Sequence, residues 1–530
     1  MIVNRSIIVC MLLFAFGLSF GQPQDTLIVK NFNSGDYEAA AINYTGLVGI
    51  DGYYYFANEN GVLKYDGSRW ELINIKNYKA AFSLAQDSTG KIYVGGLGEI
   101  GYLIKKGSGY EYISLNDKIP GDNNYGEFWQ IVVNGNDIYY CSYEGILRYD
   151  GKAVHTIDHK NSQIYNVDGK IITHVFSGSM YVIENDSARM ISEEPKLVND
   201  AAYAFIPTKD PNIYWMFTSE KGVYSFNLQN YNVSLLKLPA SNEIIKSGAY
   251  DAIVWRDSLI AVSSWYGGFL LLNRQGELVK KLTKKQGLQT NSLREFFKDQ
   301  RGHIWAGSEY GIIYFKAPTD QPIRGYIPET EITETVFKYT ADSSTVTSTT
   351  FYYATPGYDK SDLQYAYYLE GFDDAYSDYT SEVKKEYTNL DGGEYTFYVK
   401  ALLPDGRETQ AASMTFPIPT PWYLSAWFIG SSVIILSLLV FGIYRYRTSQ
   451  LRLMNKKLEL IIHDRTKELI QQREQLKSAN KELKVINSEL DNFVYRSSHD
   501  LVAPLKSLKG LVHLAKVDAS EEALQAYFDR

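Results

Sequence analysis

A single phrase repeats along the first three-fifths of the chain: an aromatic strand, a few small or polar residues, a glycine, then a second apolar strand. It reads YYYFANENGVLKYDG from Tyr53, KIYVGGLGEIGYLI from Lys91, DIYYCSYEGILRYDG from Asp137 and KIITHVFSGSMYVIE from Lys170. It returns as NIYWMFTSEKGVYSF from Asn212, DSLIAVSSWYGGFLLL from Asp257 and GHIWAGSEYGIIYF from Gly302. A period of about 40 residues is that of a four-stranded propeller blade. One such unit cannot bury both of its faces, whereas a closed ring buries each face against a neighbour and leaves only short edges. The reading for residues 22–319 is therefore a seven-bladed β-propeller. Gly61, Gly145, Gly222 and Gly311 fall where a hairpin needs positive φ, and Asp66-Gly67 and Asp150-Gly151 mark the next turn.

From about residue 320 the repeat stops, but the β signal does not. Tyr365, Tyr367 and Leu369 alternate, as do Tyr395, Phe397 and Val399, which is the period of half-buried strands. Tyrosine, with 44 copies concentrated before residue 450, suits such strands because its ring covers a sheet face while its hydroxyl reaches water. Residues 320–417 are thus expected to form further half-buried strands, and Pro417, Pro419 and Pro421 a stiff link beyond them. Only Cys10 and Cys141 occur, so a chain that has lost its first segment holds no internal disulfide.

Two segments give the address. Arg5, the apolar run Ile7–Phe16 and the small residues Ser19 and Gly21 make residues 1–21 a secretory signal peptide, the alternative being a retained N-terminal anchor. No charge occurs between Glu408 and Arg445, and residues 422–444 supply enough apolar length for one transmembrane helix. Trp422, Tyr423, Trp427 and Tyr444 mark its interfaces, and Arg445, Arg447, Arg452, Lys456 and Lys457 place its far side in the cytoplasm. The expected location is the inner membrane, crossed once, with the N-terminal region periplasmic or extracellular. A net charge of −8 gives no electrostatic footprint for nucleic acid.

Beyond the span, Ile462, Leu469, Leu476, Leu483 and Leu490 recur every seventh residue, with Thr466, Arg473, Asn480, Asn487 and Val494 at the companion positions. Residues 445–490 therefore read as a parallel coiled coil that joins a homodimer, its polar seam trading stability for register. The same frame continued into FVYRSSHDLVAPLKSLKGLVHLAK puts His499 on the outward side. Asp500 follows at once and is placed to orient the imidazole or take its proton, while Pro504 kinks the helix. His463 and His513 read as plain helix-surface residues, and His155, His159 and His174 as surface or loop residues without metal-ligand spacing.

Three stretches carry a family resemblance. GLQTNSLREFFKDQRGHIWAGSEYGIIYF resembles the two-component regulator propeller repeat of bacterial sensors, and residues 320–417 resemble the tyrosine-rich sandwich that follows such propellers. Ser498-His499-Asp500-Leu501-x-Ala503-Pro504-Leu505 resembles the H-box of the histidine kinase dimerisation and phospho-acceptor domain, here only partial over 491–530. The resemblance implies a membrane sensor histidine kinase in a two-component phosphorelay. In that family a histidine in the place of His499 takes the γ-phosphoryl of ATP, with Mg, and passes it to a response regulator. Many members carry Thr or Asn where this chain has Ala503, a departure that bears on phosphatase activity. The resemblance also implies an extracellular cue, a sugar or another ligand, which the residues alone do not name. Trp265-Tyr266 has the chemistry to stack on a carbohydrate ring, although blade packing is the reading preferred for it. No Asp-x-Gly-x-Gly loop follows the H-box, so no ATP or metal site is expected within these residues, and the helical hairpin is incomplete. A non-enzymatic receptor working through a partner kinase, or a surface binding protein, remains the alternative.

Overall fold

The computed structural model describes residues 27–501, apart from 77–78, 107–108, 122–124, 161, 257, 317–327 and 341–345. The expected signal peptide, Pro504 and the second arm of the helical hairpin lie outside the described residues. What is described divides into two compact units, one ending at Pro421 and the other beginning at Trp422.

The first unit is almost wholly antiparallel β-structure, in seven four-stranded and two three-stranded sheets. Each copy of the repeated phrase forms the middle two strands of one four-stranded sheet, as Tyr54–Asn58 with Gly61–Tyr65 and Ile304–Ser308 with Gly311–Lys316 illustrate. Asn58 pairs with Gly61 across a tight hairpin, where Gly61 has a φ of 138° that a residue with a Cβ adopts only under strain. The strand preceding each phrase lies on the inside: Asn43–Val48, Ala81–Gln86, Gln130–Asn134, Ser162–Val167, Ala202–Pro207, Ala249–Trp255 and Leu293–Lys298. Each touches the next in chain order and the last touches the first, so the seven sheets close into a ring. Aromatic side chains fill the seams between sheets. Trp305, for example, packs against Phe32, Tyr54 and Tyr314, and the strand Tyr54–Asn58 is buried along its whole length because both of its faces are covered.

How the ring shuts was not legible in the repeats. Ile28–Phe32, which belongs to no copy of the phrase, pairs with Gly311–Lys316 (Ile28↔Lys316, Phe32↔Ile312) and completes the seventh sheet. The two ends of the ring thus share one ladder of backbone hydrogen bonds, which must break before the ring can open.

The two three-stranded sheets follow. One contains Glu331–Tyr339, Val346–Ala354 and Lys384–Thr388; the other contains Gln364–Glu370, Gly393–Leu402 and Ala412–Ile418. The alternating residues Tyr365, Leu369, Tyr395, Phe397 and Val399 point inward, with Phe351 stacked on Phe397 at 4.1 Å, while Tyr367 is only half-buried. The last strand runs through Pro417 to Ile418, so part of the expected proline link is sheet. Charged pairs join these sheets to the ring: Arg69 to Glu334 at 2.6 Å, Lys30 to Asp359 at 2.8 Å, and Arg301 and Lys316 to Asp362 at 3.0 and 2.7 Å. The Lys360 N–H also donates to the Gly67 carbonyl at 3.0 Å, so the Asp66-Gly67 turn is part of the joint.

In the second unit Trp422–Leu424 forms a 3₁₀ turn, and one α-helix then runs from Ala426 to Leu501. The helix thus begins at Ala426 rather than at Trp422. At 76 residues it is about 114 Å long. It is the one helix among the described residues that is long and apolar enough to cross a membrane. Leu469, Leu476 and Leu490 are exposed along its charged part.

The histidines require a correction. His155 is partly exposed, 2.9 Å from Asp150, but His159 and His174 are buried. His174 lies within Lys170–Val175, a strand covered by neighbouring sheets, and its Nδ1 accepts the Ala202 N–H at 3.2 Å.

Candidate functional site

The innermost strands do not run in clean register with their neighbours, and the irregularity recurs at one place. Near the start of five of them the pairing slips: around Tyr44-Thr45, Phe82, Tyr203, Tyr250 and Arg294-Glu295. A bulge re-aims the extra residue out of the sheet's own alternation. Repeated at equivalent points of a ring, it gathers side chains at one mouth of the axis.

Those side chains are mostly aromatic and in contact. Tyr44 meets Phe82 at 4.8 Å, Phe82 meets Trp129 at 4.7 Å, and Trp129 meets Tyr143 at 6.3 Å. A second arc runs from Tyr203 to Tyr250 at 5.4 Å and from Tyr250 to Trp265 at 4.7 Å. Arg294 bridges the arcs, with its guanidinium over Trp265, Tyr250 and Tyr44 at 4.8, 5.6 and 5.7 Å. Of these, Trp129, Tyr143, Tyr203, Tyr250, Trp265 and Arg294 line a cavity of about 130 Å³, to which Gln130, Gln163 and Glu295 add polar atoms. Below it the axis continues as a channel of about 400 Å³ that shares Gln130, Tyr203 and Glu295 with the cavity and is lined further down by Asp251.

The electrostatics are those of an enclosed site. Burial raises the Glu295 carboxyl above the usual range, with a hydrogen bond from Thr45 partly opposing it. Burial, then the charge of Glu295, raises Asp251 well above its ordinary value, although its carboxylate accepts the Phe296 and Ala252 N–H groups at 2.8 and 2.7 Å. Both residues line the channel and are half-buried. Cys141 also lines the cavity, and burial pushes its thiol up to about 12, which disfavours the thiolate. Among the described residues no cluster of His, Cys, Asp and Glu is placed to hold a metal ion.

The residues singled out in the sequence fare differently. Trp265 and Tyr266 do not both pack a seam: Trp265 lines the cavity, and Tyr266 beside it is 74% exposed. The physical reason is position, since both follow the end of Leu259–Ser264 and so stand at the rim rather than within a sheet. His499 and Asp500 fall in the last turn of the long helix, where only the backbone is described, and Pro504 lies beyond it. The mouth residues were missed. Their signal was present as an alanine followed by an aromatic residue ahead of three of the phrases, Ala81-Phe82, Ala202-Tyr203 and Ala249-Tyr250, but such a pair does not by itself mark a bulge.

Residues 357–418, within the two three-stranded sheets, match the Y_Y_Y domain. No curated protein matches the chain. Among solved structures, one described as the extracellular domain of the hybrid two component system BT3049 from B. thetaiotaomicron aligns at 17% identity and TM-score 0.44, over 73% of this chain and 57% of that one. The corresponding domain of BT4673 from the same organism aligns at 12% identity and TM-score 0.43, over 74% and 60%. YCF48 bound to D1 peptide aligns at 13% identity and TM-score 0.43, over 58% and 98%. The chain therefore spans less than two thirds of the first two structures.

Proposed function

We propose that this chain is a single-pass membrane sensor of the histidine kinase type, exported up to the proline link and cytoplasmic after residue 444. In this reading the ring is a seven-bladed β-propeller with its ligand at the axial mouth, and the two three-stranded sheets are an Ig-like sandwich that relays its state. The observation that carries the reading is the uninterrupted helix Ala426–Leu501, which starts in the apolar segment and ends at the His499-Asp500 pair. A rigid rod transmits rotation or a shift in register, and the polar heptad seam supports a homodimer poised between two packings.

His499 is the phospho-acceptor, Asp500 orients its ring or takes its proton, and Pro504 loosens the next turn. The phosphoryl donor is ATP with Mg, held in this class of protein by a separate catalytic domain, and the receiver is a response regulator. The reading is supported further by the Y_Y_Y match over residues 357–418.

The test supplies the purified full chain, in nanodiscs, with a related histidine kinase catalytic domain and ATP. Acid-labile phosphate should appear on the wild type and vanish in His499→Ala. Absence of label on the wild type, where a control acceptor is labelled, would overturn the assignment in favour of a receptor without phosphoryl chemistry.

A further inference from the structure

The seventh sheet is the place where the ring can open, because one ladder holds its closing strand Ile28–Phe32 to Gly311–Lys316, at the other end of the ring's chain. Three cations of this sheet face out of the ring. Lys30 stands on the closing strand, Lys316 ends the strand it pairs with, and Arg301 lies in the turn between Leu293–Lys298 and Ile304–Ser308. All three meet one short segment of the sheets that follow. Lys30 Nζ is 2.8 Å from Asp359, and Lys316 Nζ and Arg301 Nη1 are 2.7 and 3.0 Å from the two carboxylate oxygens of Asp362. A single turn, Lys360–Asp362 with Asp359 as its cap, therefore holds both strands of the seam at once.

The segment is fixed in this grip from several sides. One oxygen of Asp359 accepts the Ser361 N–H at 3.0 Å, while the other takes Lys30 and the Tyr65 hydroxyl at 2.8 and 3.3 Å. The Arg301 guanidinium lies over the Tyr358 ring at 4.5 Å. The Asp359 and Asp362 side chains are only 7% and 13% exposed, so salt screens these pairs less than a surface pair such as Lys106–Glu111. Breaking a partly buried pair is costly, because it leaves a charge without its counter-charge. Opening the seam would carry Lys30 away from Lys316, and one turn cannot follow both. Loss of the turn would leave the seam to its ladder and to the packing of Phe32.

We infer that the Asp359–Asp362 turn is a clasp across the seam, so that closure of the ring and docking of the three-stranded sheets are one coupled equilibrium. The coupling is reciprocal: whatever strains the seam loosens the sheets, and whatever draws the sheets away loosens the seam. Those sheets lead into the long helix, since Ala412–Ile418 is followed by the turn Trp422–Leu424. In the sensor reading the clasp is thus the point where the state of the ring reaches the rest of the chain. The inference rests on that reading for its biological meaning, although not for its physical test.

That test is native-state hydrogen exchange on the full chain in nanodiscs. Asp362→Asn removes the charge that Lys316 and Arg301 share, and exchange of the closing-strand amides should rise about ten-fold. The fourth sheet, read at Lys170–Val175, should not change. Lys30→Gln, on a side chain 40% exposed, makes the same test from Asp359 in a variant that disturbs no core packing. Lys316→Arg keeps the cation and should keep the protection. Arg69→Ala is the control for the joint at large: it breaks the contact with Glu334 without touching the seam, and should leave the closing strand protected. The inference is overturned if the closing strand exchanges alike in wild type, Asp362→Asn and Lys30→Gln, if its loss is no larger than that of the fourth sheet, or if Arg69→Ala loosens it equally. Absence of phosphoryl label on His499 would sink the kinase reading alone, and a seam indifferent to both clasp variants would sink this inference alone.

Discussion

Two glycines in equivalent turns offer a controlled test of how the ring is joined to the sheets that follow it. Gly67 and Gly151 each close an Asp-Gly turn, with φ of 96° and 90°. A Cβ at Gly151 would meet nothing within 4 Å, so Gly151→Ala carries only the strain of a positive φ, about 1–2 kcal/mol. At Gly67 the same Cβ would lie 2.0 Å from the Tyr358 carbonyl oxygen, a backbone atom that cannot rotate away. Relief requires the turn and the Tyr358–Asp362 segment to separate by about 1 Å or more, stretching the 3.0 Å bond from Lys360 N–H to Gly67 O and loosening the Lys30–Asp359 pair beside it. Adding a lost backbone hydrogen bond and a weakened charged contact brings the cost of Gly67→Ala to about 3–5 kcal/mol. Native-state hydrogen exchange on the full chain reads this locally, because it assigns an opening free energy to single amides. The Lys360 amide should lose most of its protection in Gly67→Ala and keep it in Gly151→Ala. Equal exchange at Lys360 in the two variants, or equal losses of stability to within about 0.5 kcal/mol, would refute the reasoning and with it the claim that this turn is part of the joint.

Other outcomes follow from the same structure. Phe32→Ala in the closing strand removes a ring that packs on Trp70, Tyr65 and Trp305, and should cost about 3–5 kcal/mol in denaturant unfolding; a change below about 1 kcal/mol would mean the closing strand is not needed. His174 is held neutral, its pKa lowered to about 4 chiefly by burial. As pH falls from 6.5 toward about 4 the unfolded chain gains a proton that the native chain refuses, so stability falls by up to about 3 kcal/mol. His174→Gln should flatten that slope. Asp299, pushed up to about 6 by burial, acts in the opposite sense between roughly pH 4 and 6, so the difference between variant and wild type is the quantity to compare. Finally, Leu476→Cys in membranes should cross-link to a disulfide-bonded dimer on mild oxidation, and failure to do so would count against the parallel coiled coil.

Local pattern carried much of this molecule. Period-two aromatics around a glycine are enough to dictate hairpins, and seven such hairpins, none able to cover both faces, imply mutual burial before any coordinate is known. The apolar span and the basic residues after it are likewise readable, because the bilayer judges composition over a window of some 20 residues rather than any contact. What sequence periodicity could not express is the pairing of residues far apart in the chain. Ile28–Phe32 joins Gly311–Lys316 only because the ring brings its ends together. His174 looks like any strand histidine until a neighbouring sheet covers it. The mouth cavity is the sharpest case: Trp129, Tyr203, Tyr250, Trp265 and Arg294 are scattered between positions 129 and 294, and each is ordinary by itself. Their convergence depends on strand bulges and on ring closure, and both are decided by tertiary packing, where one extra residue in a strand redirects a side chain without altering the hydrophobic pattern around it.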